Sequence, residues 1–132
     1  MTTILIAEDN AMVGLLMQMD LSDAGYEVMG PFPRSAPALE SAGVQRPDLA
    51  LVDIDLADGD SGIDLAAALR GTLGVPCLFV TGQSFEASGA AEHAIGALTK
   101  PFPSAVLLEA VAAALRVAEG EPPPSGQAVA WF

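Results

Sequence analysis

A chain of 132 residues is long enough for one domain with a single core and too short for two. Hydrophobic residues make up 52% of it, yet no uninterrupted apolar run approaches the roughly 18 residues that a membrane helix needs. Its 5 basic and 17 acidic residues, a formal net charge of −12, oppose binding to a phosphate backbone and suit a divalent cation.

The amino terminus enters Thr3-Ile4-Leu5-Ile6-Ala7, a buried-strand pattern, with no basic leader before it. Glu8, Asp9 and Asn10 follow at once. Asn10 suits a helix N-cap, which predicts a helix over 11–24 stopped by Gly25. That helix is apolar on more than one stripe (Met12, Val13, Leu15, Leu16, Met17, Met19, Leu21), so core packing is expected for most of these residues and a partner groove for the excess. Tyr26 to Gly30 reads as a short strand, Pro31-Phe32-Pro33 as a stiff connection, and 35–42 as a helix with Ser35 as N-cap and Gly43 as stop.

Asp48-Leu49-Ala50-Leu51-Val52-Asp53-Ile54-Asp55 is an apolar run that ends abruptly in acid, the pattern of a strand buried on both faces. A loop over 58–62 leads to a helix over 63–70 ended by Gly71. Val75 to Thr81 is a fourth strand containing Cys77, a lone cysteine that excludes an internal disulfide and reads as an inert buried thiol. Residues 84–93 form the weakest helix pattern, Ala-rich but interrupted by Gly89, with His93 expected at the surface. Ile95 to Thr99 is a fifth strand running into Lys100-Pro101, a context that admits a cis peptide. Pro103 opens a helix over 104–119. Residues 1–119 thus read as the domain, and 120–132 as a Pro-rich linker with an apolar tail, Trp131-Phe132. That tail is either a flexible end or a segment docking on its own domain or a neighbour. Too little chain follows residue 119 for a further domain, and cysteine usage and the missing leader point to the cytoplasm.

The β-α alternation implies a doubly wound parallel sheet of five strands with helices on both faces. Such a sheet brings the residues after each strand to one edge: Glu8, Asp9, Asp53, Thr81 and Lys100. Carboxylates converging there repel one another unless a cation intervenes, and Mg2+ is the hard, oxygen-seeking choice. A hydroxyl and an ammonium beside them are suited to hold phosphoryl oxygens.

With these five residues the chain resembles a response-regulator receiver domain of two-component signalling over about residues 3–119. The resemblance implies a flavodoxin-like strand order 2-1-3-4-5. It implies that Asp53 accepts a phosphoryl group from the phosphohistidine of a histidine kinase or histidine phosphotransfer protein. Glu8, Asp9, Asp53 and the carbonyl of Asp55 would hold Mg2+, while Thr81 and Lys100 engage the phosphoryl group. Such a chain catalyses its own phosphorylation and dephosphorylation without being a conventional enzyme. The family commonly carries an aromatic switch residue three positions before the lysine; here that position is Ala97. Phe79-Val80-Thr81-Gly82 is similar to a subgroup with glycine after the threonine, which points to backbone rearrangement, with Gly82 and Gly89, in place of a rotamer flip. Asp55 and Gln83 stand where the family tunes phosphoryl lifetime. Two roles follow, a switch acting through protein partners, with homodimerisation open, and a phosphate sink or relay. A haloacid-dehalogenase-like phosphatase, suggested by Asp53-x-Asp55, lacks its threonine because Ala57 stands there. Neither nucleic acid nor membrane is an expected partner.

Overall fold

A computed structural model of the chain describes residues 1–82, 92–124 and 128–132. Its elements in order are β1 (Thr3–Ala7), α1 (Ala11–Asp23), β2 (Glu27–Phe32), α2 (Ser35–Val44), β3 (Leu49–Asp53), a 3-10 turn (Ala57–Gly59), α3 (Gly62–Leu73), β4 (Cys77–Thr81), β5 (Gly96–Thr99), α4 (Ser104–Ala118) and β6 (Val129–Trp131). The strands form one sheet in the order β2-β1-β3-β4-β5-β6. The first five are parallel in the expected order. The sixth corrects the five-stranded expectation: the apolar tail adds an antiparallel edge strand, pairing Val129 with Leu98 and Trp131 with Gly96.

Burial follows from the sequence pattern. β1, β3 and β4 are buried at every position, as two-face coverage by helices requires. One core layer joins Leu5, Val52, Phe79 and Cys77 to Leu65 and Leu69 of α3 and Ala38 of α2. The other joins Ile6, Leu51, Leu78 and Leu98 to Met17 and Leu21 of α1 and Leu107 and Val111 of α4. Burial pushes the Cys77 thiol up to about 12, an unreactive state, as expected. No helix among the described residues is long and apolar enough to cross a membrane.

Several boundaries differ from the sequence reading for physical reasons. α3 runs through Gly71 and stops at Gly74, whose left-handed φ of 67° directs its N–H back to the Arg70 carbonyl. Arg46 reinforces that end by donating to the Leu73 and Gly74 carbonyls. β2 extends through Pro31-Phe32, the expected stiff connection, with a register shift opposite β1 between Leu5 and Ala7. Both Gly30–Pro31 and Lys100–Pro101 are cis peptides. The expected core packing of α1 holds for Val13, Met17 and Leu21, whereas Met12, Leu15, Leu16 and Met19 are exposed. Of the expected helix over 84–93, residues 84–91, Gly89 among them, lie outside the described residues, as does Gln83. His93, expected at the surface, sits partly buried in a turn.

Gly62 is placed by close approach. A Cβ there would lie 1.8 Å from the Asp53 carbonyl oxygen, whereas one on Gly71 of the same helix meets nothing within 4 Å. Gly62→Ala is expected to destabilise the fold by about 3 kcal/mol, the upper range for overpacking. Gly71→Ala should stabilise it by about 0.5–1 kcal/mol through helix propensity. Urea denaturation of the two variants beside the parent checks the opposite signs.

Candidate functional site

The carboxyl ends of β1, β3, β4 and β5 meet at one edge. Register sets their relation: Ala7 is level with Val52, which brings Glu8 level with Asp53. Asp53 pairs with Val80, so Thr81 extends one residue beyond it, and Thr81 pairs with Thr99, so Lys100 follows at the rim. The Lys100 amide donates to the Thr81 carbonyl at 2.7 Å, holding the β5 end against β4. The Lys100 ammonium lies 3.1 Å from Asp53 Oδ2 and 2.5 Å from Glu8 Oε1. Glu8, Asp53 and Thr81 are all nearly buried, at 3%, 7% and 4% exposed.

Asp9 is exposed beside this pair, and oxygens of Glu8, Asp9 and Asp53 lie within 4.8 Å of one another. Asp55 stands apart from that carboxylate cluster. Its side chain is exposed, its amide donates to Asp53 Oδ1 at 3.2 Å, and its backbone bridges to Ser61. Ala97 is buried in β5 with no aromatic ring at its position.

The electrostatics follow from two carboxylates sharing one buried ammonium. Burial raises Glu8 to about 7, and the hydrogen bond to Asp53 adds to this. Lys100 and the Asn10 amide oppose it. For Lys100, burial acts downward, but its pairing with Glu8 and Asp53 outweighs burial and raises it. One cation therefore leaves the cluster short of positive charge. Glu8 Oε1 meets Lys100 as an ion pair outside hydrogen-bond geometry, so a buried carboxylate oxygen lacks a directed donor. That orphaned oxygen, with hard oxygen donors so near one another, fits a small divalent cation.

Several supporting residues carried no motif in the sequence. Asp60 caps α2 across the loop, its Oδ2 accepting from the Ser35 amide at 2.6 Å. This replaces the expected capping by the Ser35 side chain, and bonds from Ser35 hold the Asp60 carboxyl below its usual range. Gly14 lets α1 approach Pro31: a Cβ there would be 2.9 Å from the proline ring and 3.7 Å from Glu8 Cγ. Such approaches join residues far apart in sequence, so only the glycines themselves signalled them. Asn10 acts as expected, with Oδ1 accepting from the Val13 amide at 3.1 Å. A cleft of about 440 Å3 opens at the opposite edge of the sheet, between Arg46, Arg70 and Glu119, and holds none of the candidate residues.

Residues 4–112 match the response regulator receiver domain family. The chain is 31% identical over 113 residues to the transcriptional regulatory protein PdtaR of Mycobacterium tuberculosis, covering 82% of this chain and 54% of that protein. It is 33% identical over 119 residues to the KDP operon transcriptional regulatory protein KdpE of Escherichia coli, covering 88% and 52%. The chain thus spans about half the length of these relatives. A solved CheY-like response regulator receiver domain protein from Methanospirillum hungatei superposes with a TM-score of 0.80 at 28% identity, covering 92% of this chain and 99% of that one.

Glu8 supplies a pH dependence. Between its ordinary value of 4.5 and about 7, the folded chain keeps a proton that the unfolded chain has released, so stability falls as pH rises through that window. The full loss, present above pH 7, is about 3 kcal/mol. Glu8→Gln should abolish this slope and exceed the parent's stability at pH 8 but not at pH 4. Added Mg2+ should raise the parent's Tm at pH 8 and the variant's far less. Thermal melts at both pH values, with and without Mg2+, check this.

Proposed function

Because the chain belongs to the response regulator receiver domain family, we propose that Asp53 accepts a phosphoryl group from the phosphohistidine of a histidine kinase or histidine phosphotransfer protein and signals through protein contacts. The observation that carries this reading is the near-buried Asp53 carboxylate held 3.1 Å from the Lys100 ammonium beside Glu8 and Asp9.

In this reading Glu8, Asp9 and Asp53, with the Asp55 carbonyl, would hold Mg2+, which would supply positive charge to offset that of the phosphoryl group. An Asp53 carboxylate oxygen attacks phosphorus as the P–N bond to the donor imidazole breaks, and the bonding pair returns to that ring. The Lys100 ammonium takes up charge on an equatorial oxygen, and the Thr81 hydroxyl donates to another. Water later cleaves the acyl phosphate, restoring the carboxylate and releasing inorganic phosphate. Most of the catalysis is positioning, which the close packing of Gly62 and Gly14 enforces around the two buried acids.

The exposed stripe on α1 suits the donor. Met12 is 65% exposed, and Leu15, Leu16 and Met19 are each about half exposed, an apolar surface with no cover among the described residues. It starts at the rim of the acidic cluster: Leu15 borders a groove with Glu8, Asp9 and Pro31, and Leu16 borders another with Lys100 and Phe102. A helix carrying a phosphohistidine can pack its apolar face there and present phosphorus to Asp53.

Two substitutions separate chemistry from docking. Asp53→Ala should abolish phosphorylation from both a cognate kinase and a small-molecule donor such as acetyl phosphate. Leu15→Glu with Leu16→Glu should slow transfer from the protein donor at least about tenfold and leave labelling by acetyl phosphate unchanged. Radiolabel incorporation measures both, and labelling of Asp53→Ala equal to the parent's would overturn the assignment.

A further inference from the structure

The tail strand reaches its place by an unusual route. α4 ends at the lower edge of the sheet, yet β6 runs antiparallel to β5, beginning opposite Leu98 near the upper edge. After α4, the described residues lead to Pro124, which lines a groove with Glu109, Ala112 and Arg116 of that helix. The tail is thus a separate flap laid on the β5 edge, not a continuation of the preceding helix.

The β5 edge is shaped to accept it. Gly96 leaves room: the three atoms nearest a Cβ there are the Ala130 carbonyl oxygen, Trp131 Cε3 and Val129 Cγ1, at 2.9–3.1 Å, all in the tail. The Phe132 amide donates to the Ile95 carbonyl at 3.1 Å, extending the pairing by one residue. Val129 is buried, and Trp131 joins the core layer that contains Leu98 and Leu107. An edge so built binds backbone through its ladder and side chains through alternate positions.

We propose that the β5 edge is a strand-accepting interaction surface whose partner is the tail of a second copy of this chain, so that two copies exchange β6. The fit to a second copy is assured by identity, because the same four residues, Val129 to Phe132, meet the same edge in either arrangement. Two features favour exchange over permanent closure. The seat is easy to leave: β6 is only three residues long, and the buried Trp131 Nε1 has no acceptor among the described residues. The connection is also stiff, since Pro122, Pro123 and Pro124 span about 9 Å when extended and carry the tail as a semi-rigid arm.

Full-length variants test this by complementation. Gly96→Val fills the acceptor seat and keeps a competent tail. Val129→Asp with Trp131→Asp spoils the tail and keeps an open edge. Each alone should be monomeric by light scattering, whereas their mixture should form a 1:1 complex at least tenfold more abundant than either variant's own dimer. The parent should dimerise with rising concentration. A mixture that stays monomeric overturns the proposal, as does a Val129→Asp, Trp131→Asp variant that dimerises as well as the parent. Should a variant fail to fold, a second measurement decides. Ala97 and Ala130 are cross-strand neighbours, so copies bearing Ala97→Cys and Ala130→Cys singly are mixed and oxidised with a disulfide reagent. Exchange predicts a covalent dimer of the two differently tagged copies, and its absence refutes exchange.

Discussion

Lys100 is the contact on which the upper edge of the sheet depends. Two nearly buried carboxylates, Glu8 and Asp53, face each other across adjacent strands, and a single ammonium stands between them. Without it their repulsion would be uncompensated in a low-dielectric setting. With it the cluster remains short of one positive charge, which shows in the raised Glu8 and its undirected oxygen. A surface ion pair would contribute little to the fold. This one holds β5 against β1 and β3 through charge, and leaves a vacancy in charge that a divalent cation suits.

Close approach of backbone supplies the precision. The edge residues are level because parallel ladders fix the register, but the loops that follow must also be drawn in tightly. Gly62 brings α3 onto the Asp53 carbonyl, and Gly14 lets α1 lie on Pro31 next to Glu8. Asp60 then ties the β3–α3 loop to the start of α2 through the Ser35 amide. None of these residues enters the proposed chemistry. They narrow the positions available to those that do.

Apolar surface is distributed unevenly over this acidic chain. α1 leaves four large hydrophobic side chains exposed next to the candidate site, while the tail buries Val129 and packs the half-buried Trp131 on the far edge. These are two faces of one molecule with different roles: one open beside the proposed acceptor, one closed by the chain itself. An acidic surface interrupted by confined apolar areas favours partners that bring hydrophobic side chains over partners that bring phosphates.

The β-α alternation, the burial of β1, β3 and β4 and the gathering of Glu8, Asp9, Asp53, Thr81 and Lys100 at one edge were legible in the residues. The reason is that apolar runs flanked by helical patterns have essentially one packing solution, and acids at strand ends have one edge to occupy. Family resemblance rested on the same positions. What the sequence reading misplaced depended on contacts between distant residues: Asp60 rather than the expected Ser35 capping α2, Gly74 rather than the expected Gly71 ending α3, and the exposure of half of α1. A short segment such as Val129–Trp131 has no periodicity of its own, so its strand state is created by the β5 ladder it joins. Local pattern therefore determined the elements and the candidate site, and tertiary contact alone decided the caps, the open face and the sixth strand.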